Sequence, residues 1–267
     1  MSESLVLSRI EDDICFVTLN RPDKRNALVL EMVEGLADAC GGAAARPGVR
    51  AIIVDAAGPV FSAGIDVMAL AGMRAAAGDQ HPARWIRGIA EKLQHKFDLI
   101  EATELPVIGA LQGSVVGMGL ELALAFDLRV AAADLQLSIP ETRLGLIADV
   151  GGTTRLSRTI GPSRAKDMLM TARKIDAAEA LAWGLVNRVV PQEDLAQAAV
   201  RLARDISKNA PLAVGLTKLV IDQGDGLDKH TQMALERWAQ SQLIMSEDAG
   251  EAMSAFLEKR PPDFRAQ

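Results

Sequence analysis

The sequence predicts an α/β chain that stacks strand–turn–helix units and finishes in a helical region. Three observations carry that expectation. Residues 49–56, VRAIIVDA, form a continuous apolar run of buried-strand type, and 106–113, PVIGALQG, read as another strand. Each runs into a glycine-bearing turn and then a helix, so 49–70 and 106–127 make two weakly similar units. Beyond Gly151-Gly152 helical spacing dominates to the C-terminus. The expected division is a stacked core over 1–200 and a helical region over 201–267.

The elements follow in order. LVLSRI and ICFVTLN read as a hairpin around the acidic turn Glu11-Asp12-Asp13. NRPDKRNAL follows at 20–28, where Asn26 is expected to cap a helix over 27–39. Its cations Arg21, Lys24 and Arg25 suit either a solvated loop or a site for phosphate groups. After the 49–56 strand, GPVFSAGIDV turns sharply on Gly58, Pro59 and Gly64, and such a turn can present free backbone N–H groups. Residues 67–82 are small and irregular, expected as a mobile loop or short helix. Trp85, Ile89, Leu93, Phe97 and Ile100 then recur at helical spacing. Core packing accounts for that stripe; the alternative is that Trp85, Leu93 or Phe97 lines an apolar substrate pocket.

PVIGALQG leads through Gly117-Met118-Gly119 into the helix LELALAF, with DLRVAAA and LQLSIP as two further strands. SRAKDMLMTA is a helix after Gly161-Pro162. Asp176 is expected to cap DAAEALAWG at its start and Gly184 to close it. LVNRVVP is extended, QEDLAQAAVRLARDISKN is an amphipathic helix, and three more helical segments complete the chain.

Composition narrows the function. Apolar residues make up 49% of the 267, enough for a sizeable core. A net charge of −6 argues against non-specific nucleic-acid binding, which needs clustered cations. No apolar run is long enough to span a membrane, and the N-terminus shows no signal-peptide core, so the cytoplasm is the expected location. Cys15 and Cys40 form no CxxC pattern and read as reduced thiols. There is no tyrosine to serve as acid or base. His81, His95 and His230 lie far apart with no metal-ligand spacing, so no metal is expected.

The chemistry concentrates in 106–153. Glu121 and Glu141 lie twenty positions apart, and Asp149 sits in a second glycine-rich turn. The run Gly113 to Gly119 lacks the Lys-Ser/Thr of a phosphate loop, and Leu122 stands where a dinucleotide fingerprint needs glycine. A lysine-free turn that opens a helix suits another use: its N–H groups stabilise an anionic oxygen. The 64–66 turn offers a second donor. Two donors on one thioester oxygen stabilise an enolate, and enolate chemistry needs acids and bases beside the adjacent carbons. Taken singly, Glu121 could be a helix-start acid, Glu141 a loop acid and Asp149 a turn cap.

Five segments together carry a resemblance: NRPDKRNAL (20–28), FSAGIDV (61–67), GSVVGMGLELALAFDLRVAAAD (113–134), LSIPETRLGLIADVGGTTRLSRTIG (137–161) and AFLEKRPPDF (255–264). In that order the chain resembles the crotonase superfamily, the enoyl-CoA hydratase/isomerase family, over almost its full length. The resemblance implies a spiral of strand-strand-helix units and a C-terminal helical region for trimerisation and for covering CoA. It implies a homotrimer or a dimer of trimers acting on an acyl-CoA thioester. It also implies that coenzyme A enters as part of the substrate, with no separate cofactor. The N–H groups of Ile65 and Met118 would form the oxyanion hole. Glu121 and Glu141 match the two glutamates that hold and activate water in hydratases. Lys24, Arg25 and Ala63 would meet the CoA, as would Phe256 and Lys259 from a neighbouring subunit. Asp149 departs from the hydratase pattern, where glycine is usual, and resembles the dienoyl-CoA isomerase branch. Hydration of a trans-2-enoyl-CoA is therefore expected first, and a 3,5- to 2,4-dienoyl-CoA shift second. A non-catalytic scaffold and a nicotinamide oxidoreductase fit less well.

Overall fold

The computed structural model describes residues 4–266, and the first three residues of the acidic N-terminal stretch lie outside it. Among the described residues nine strands form two sheets. The six-stranded sheet takes β1 (Val6–Glu11), β2 (Ile14–Leu19), β3 (Ala51–Ala56), β4 (Val107–Leu111), β6 (Leu128–Ala132) and β9 (Arg188–Val190), in that spatial order. Only the β1–β2 hairpin is antiparallel in it. The three-stranded sheet takes β5 (Ser114–Val116), β7 (Gln136–Ser138) and β8 (Ile175–Asp176).

The chain alternates between the layers, and this makes the spiral. β4 in the large sheet leads to β5 in the small one, then to helix α4 (Met118–Ala123). β6 and β7 repeat the step. The β3 unit does so with single bridges, Ser62 to Val115 and Leu28 to Ile65, in place of a full strand. The alternation sets the functional turns, because each crossing between layers leaves a short loop at the same end of the stack.

Both faces of the large sheet are covered, so its strands are apolar on both. One face presents Cys15, Val17, Leu19, Ile52, Val54 and Leu111 to α1 (Leu30–Ala44), α3 (Pro82–Glu101) and α4. The other presents Ile14, Phe16, Ile53, Ile108 and Val130 to α8 (Leu195–Ser207), whose Ala198, Ala199 and Ala203 let the helix lie close. Residue 200 falls inside α8, and a helical region follows that helix. It comprises α9 (Pro211–Gly224), α10 (Lys229–Leu243) and α11 (Glu247–Glu258). No described helix is long and apolar enough to cross a membrane.

One local expectation changes, and another is decided between its alternatives. The helix expected over 27–39 under an Asn26 cap begins only at Leu30, with Val29 as its cap residue. Arg25 and Asn26 both take left-handed backbone, φ 51 and 50, and Leu28 pairs with Ile65 before the helix can start. The Asn26 side chain turns inward, donating to Ala57 O at 2.8 Å and Val60 O at 3.0 Å and accepting from Arg21 N at 2.8 Å. The stretch expected as a mobile loop or short helix at 67–82 contains α2 (Val67–Ala76), capped by Asp66, whose carboxylate accepts from Met68 N and Ala69 N. The remaining helices are α5 (Gly152–Ile160), α6 (Pro162–Thr171) and α7 (Ala177–Ala182), the last capped by Asp176 as expected.

Candidate active site

Two backbone turns meet at the centre of the stack. In the first, Leu28 N donates to Gly64 O at 2.7 Å and Asp66 N to Leu28 O at 2.9 Å. This pairing faces the Ile65 N–H away from the strand, and among the described residues it has no acceptor. Ser62 braces the turn from below: its hydroxyl donates to Asn26 O at 2.8 Å and accepts from Gly64 N at 3.1 Å. Arg21 ties the flank, donating to Asp66 at 2.6 Å. In the second turn Gly117 N donates to Ser138 O at 2.8 Å, and Met118 opens α4, where a first-turn N–H has no partner inside the helix. The turns touch, since a Cβ built on Gly64 would stand 3.6 Å from Met118 N.

The carboxylates converge on the same place. Glu121, one helical turn on from Gly117, is 2% exposed. Its Oε1 accepts from Val150 N and from Gly152 N, both at 2.9 Å. Burial pushes its carboxyl up to about 7 against the pull of those two donors, and the nearby Glu141 and Asp149 push it further. Glu141 lies in a 3-10 turn after Pro140, and a Cβ on Gly117 would collide with its Oε1. Its Oε2 is buried without a hydrogen-bond partner, and burial, then Asp149, raise its carboxyl. Burial also raises Asp149. An unpartnered buried acceptor beside an acid whose proton affinity burial has raised suits proton transfer to a third molecule rather than structural support.

Gly117 shows what the geometry demands. At φ 52 and ψ −125 it adopts backbone that L side chains avoid, and the Glu141 carboxylate occupies the space a side chain would need. The turn and the carboxylate are thus packed against one another.

The residues expected at the site divide into two groups. Ile65, Met118, Glu121, Glu141 and Asp149 lie together. Ala63 adjoins them, half-buried, with its N–H on Arg25 O at 2.9 Å. Lys24 and Arg25 are exposed on the loop leading into the first turn. Leu93 lines an apolar cleft with Ile65, Met118, Leu28 and Ile89. Phe97 has no exposed surface and belongs to the core, so it does not line an open pocket. Trp85 is half-buried one turn above Ile89. Phe256, 78% exposed, and Lys259, which ends α11, are joined to these turns by no hydrogen bond or ion pair among the described residues. The sequence reading missed Ser62 and the donors Val150 and Gly152. Only the glycine pair 151–152 hinted at the donors. A cleft of about 1340 Å³ between the end of α3 and α9–α10 lies apart from these carboxylates.

Comparison with known proteins shows the family. The family model described as enoyl-CoA hydratase/isomerase matches residues 9–267, and the chain belongs to that family. The crotonyl-CoA hydratase of Syntrophomonas wolfei is 36% identical, over 98% of this chain and 98% of its own. The short-chain-enoyl-CoA hydratase of Clostridium acetobutylicum is 36% identical, over 96% of this chain and 95% of its own. The solved structure of the enoyl-CoA hydratase from Bacillus anthracis superposes with a TM-score of 0.91 at 33% identity, covering 99% of this chain and all of that one.

Proposed function

We propose that this chain adds water to a trans-2-enoyl-CoA. The carrying observation is the pairing of Glu121 and Glu141 beside two backbone N–H groups with no acceptor of their own. The thioester oxygen sits between the N–H groups of Ile65 and Met118. That contact draws charge out of the double bond and stabilises the enolate that forms when Cβ is attacked. Oε1 of Glu121 is committed to Val150 and Gly152, so its proton chemistry runs through Oε2. Oε2 of Glu141 has no competing partner. A water held between them loses one proton to a carboxylate as its oxygen bonds to Cβ. The other carboxyl gives a proton to Cα, which collapses the enolate to the thioester. The pair returns to its starting charge when the two exchange that proton, so one shared proton suffices.

Asp149 adds a third acid to this cluster, which is the feature a diene shift would use. The hydratase names carried by relatives that match nearly end to end favour hydration instead. On this reading the reaction draws on no metal or redox cofactor. The partner is the acyl-CoA alone, with Lys24 and Arg25 beside its nucleotide end. We extend the reading to a homotrimer or a dimer of trimers, supported by the exposed Trp238, Ile244, Met245 and Phe256 on and around α10 and α11. Phe256 and Lys259 would then serve a neighbour's CoA. Two buried free thiols, Cys15 and Cys40, support action in the reducing cytoplasm.

The test is a panel of enoyl-CoA and dienoyl-CoA substrates read by product analysis. Hydration of a trans-2-enoyl-CoA is expected, and Glu141→Gln should lower kcat by about 10²-fold or more with KM little changed. A full rate in that variant would remove Glu141 from the mechanism, and conversion of dienes alone would overturn hydration.

A further inference from the structure

The turn that holds Glu121 is itself held by one stripe of α3. Gln94, Asp98 and Glu101 are spaced i, i+4, i+7 and so share a helix face. From that face the Gln94 side-chain amide donates to Asp149 O at 2.6 Å. Arg155, in the first turn of α5, answers from the other side. Its Nη2 donates to Asp98 at 2.5 Å and to Glu101 at 2.7 Å, its Nε to Glu101 at 3.0 Å and its Nη1 to Val150 O at 3.4 Å. The Arg155 side chain is only 11% exposed, while its partners Asp98 and Glu101 reach the surface. Between the two anchors lie the N–H groups of Val150 and Gly152, both on Glu121 Oε1.

Arg155 N also donates to Gly151 O at 2.7 Å and Ala148 and Val150 are buried in the core, and to these Gln94 and the Arg155 side chain add the ties to α3. Gly151 and Gly152 are adjacent, and Gly151 sits at φ 104. A glycine pair has wide conformational freedom and needs outside constraint to present two N–H groups to one oxygen. We infer that Gln94 and Arg155 are positioning residues of the reaction, pinning the 149–152 turn to α3 so that its two N–H groups stay aimed at Glu121. The inference rests on the reading of Glu121 as a hydratase carboxylate.

The two donors favour the ionised form of Glu121, whereas its burial and the carboxyls facing it, Glu141 from the 3-10 turn and Asp149 from the turn itself, favour the protonated form. The Arg155 charge is directed at Asp98 and Glu101. Slackening the turn therefore raises the proton affinity of the glutamate pair without removing any charge from it. A merely structural role for Gln94 would leave that affinity where it was.

The decisive variant is Gln94→Met, which keeps the length of an exposed side chain, removes the donor and alters no charge. Its kcat should fall about 10-fold with KM within about 2-fold, because a misaimed catalytic group lowers the chemical step and not binding. The bell-shaped kcat–pH profile should move up by about half a unit or more. Hydrogen exchange in the peptide holding Val150 and Gly152 should quicken in the whole protein without substrate. Arg155→Lys, which keeps the charge but not the fork, should shift the profile the same way. An unmoved pH profile and unchanged exchange in Gln94→Met would overturn the inference. Failure of the wild type to hydrate any enoyl-CoA would overturn the hydratase reading instead, while the exchange measurement would still decide whether Gln94 holds the turn.

Discussion

Replacing Glu121 with glutamine should abolish hydration and stabilise the fold, with the gain appearing only as pH rises. The carboxyl is 2% exposed, and its value is pushed from the ordinary 4.5 to about 7, mainly by burial and further by Glu141 and Asp149. A carboxyl that holds its proton more tightly when folded favours the folded state most below its unfolded value. That advantage is lost as pH rises through the window from 4.5 to about 7. The shift of roughly 2.5 units corresponds to ~3 kcal/mol at about 1.4 kcal/mol per unit. Glutamine keeps the Oε1 acceptor for Val150 N and Gly152 N and carries no charge at any pH. Urea unfolding of wild type and Glu121→Gln, at one protein concentration so that assembly does not differ, should give a stability difference that grows by ~3 kcal/mol from pH 4.5 to pH 8 in favour of the variant. Over the same range hydration should be down by about 10²- to 10⁴-fold. Two parallel stability curves would refute the reasoning, because they would mean that Glu121 ionises in the fold as easily as in the unfolded chain.

Two further substitutions separate the site from the scaffold. Gly117→Ala must place a side chain at φ 52 and against Glu141 Oε1, so it should lower kcat at least about 10-fold. It should also reduce stability by about 1–2 kcal/mol, read by thermal melting alongside the rate. Phe97→Ala should cost about 3–5 kcal/mol through the cavity it leaves, and should not alter acyl chain-length preference in the substrate panel.

The proposed catalytic pair came from the family resemblance of the five segments; residue types alone left Glu121 open as a helix-start acid and Glu141 as a loop acid. The strands were readable because both faces of the large sheet are covered and their apolar runs are therefore unbroken. Asn26 misled for a physical reason. Asparagine is favoured at helix caps and in left-handed backbone alike, and only the neighbouring left-handed Arg25 and the Leu28–Ile65 bridge decide between them. Phe97 fits the helical stripe of the α3 face whether that face meets a core or a pocket. Gln94 and Arg155 left no signal, being an exposed amide and one arginine among many, 61 positions apart. Their role exists only where the chain folds back on α3.

On the proposed mechanism four of the polar contacts come from main-chain amides: Ile65 and Met118 for the substrate oxygen, Val150 and Gly152 for Glu121. An amide is present whatever side chain its residue bears. The chain can therefore carry methionine at 118, or a different residue at 65 or 150, and rebuild the lining of its cleft while the donors stay in place. Inheritance acts here on the path of the backbone more than on the identity of the residues along it. A scaffold of that kind can acquire new acyl substrates by exchanging the furniture around a fixed set of amides.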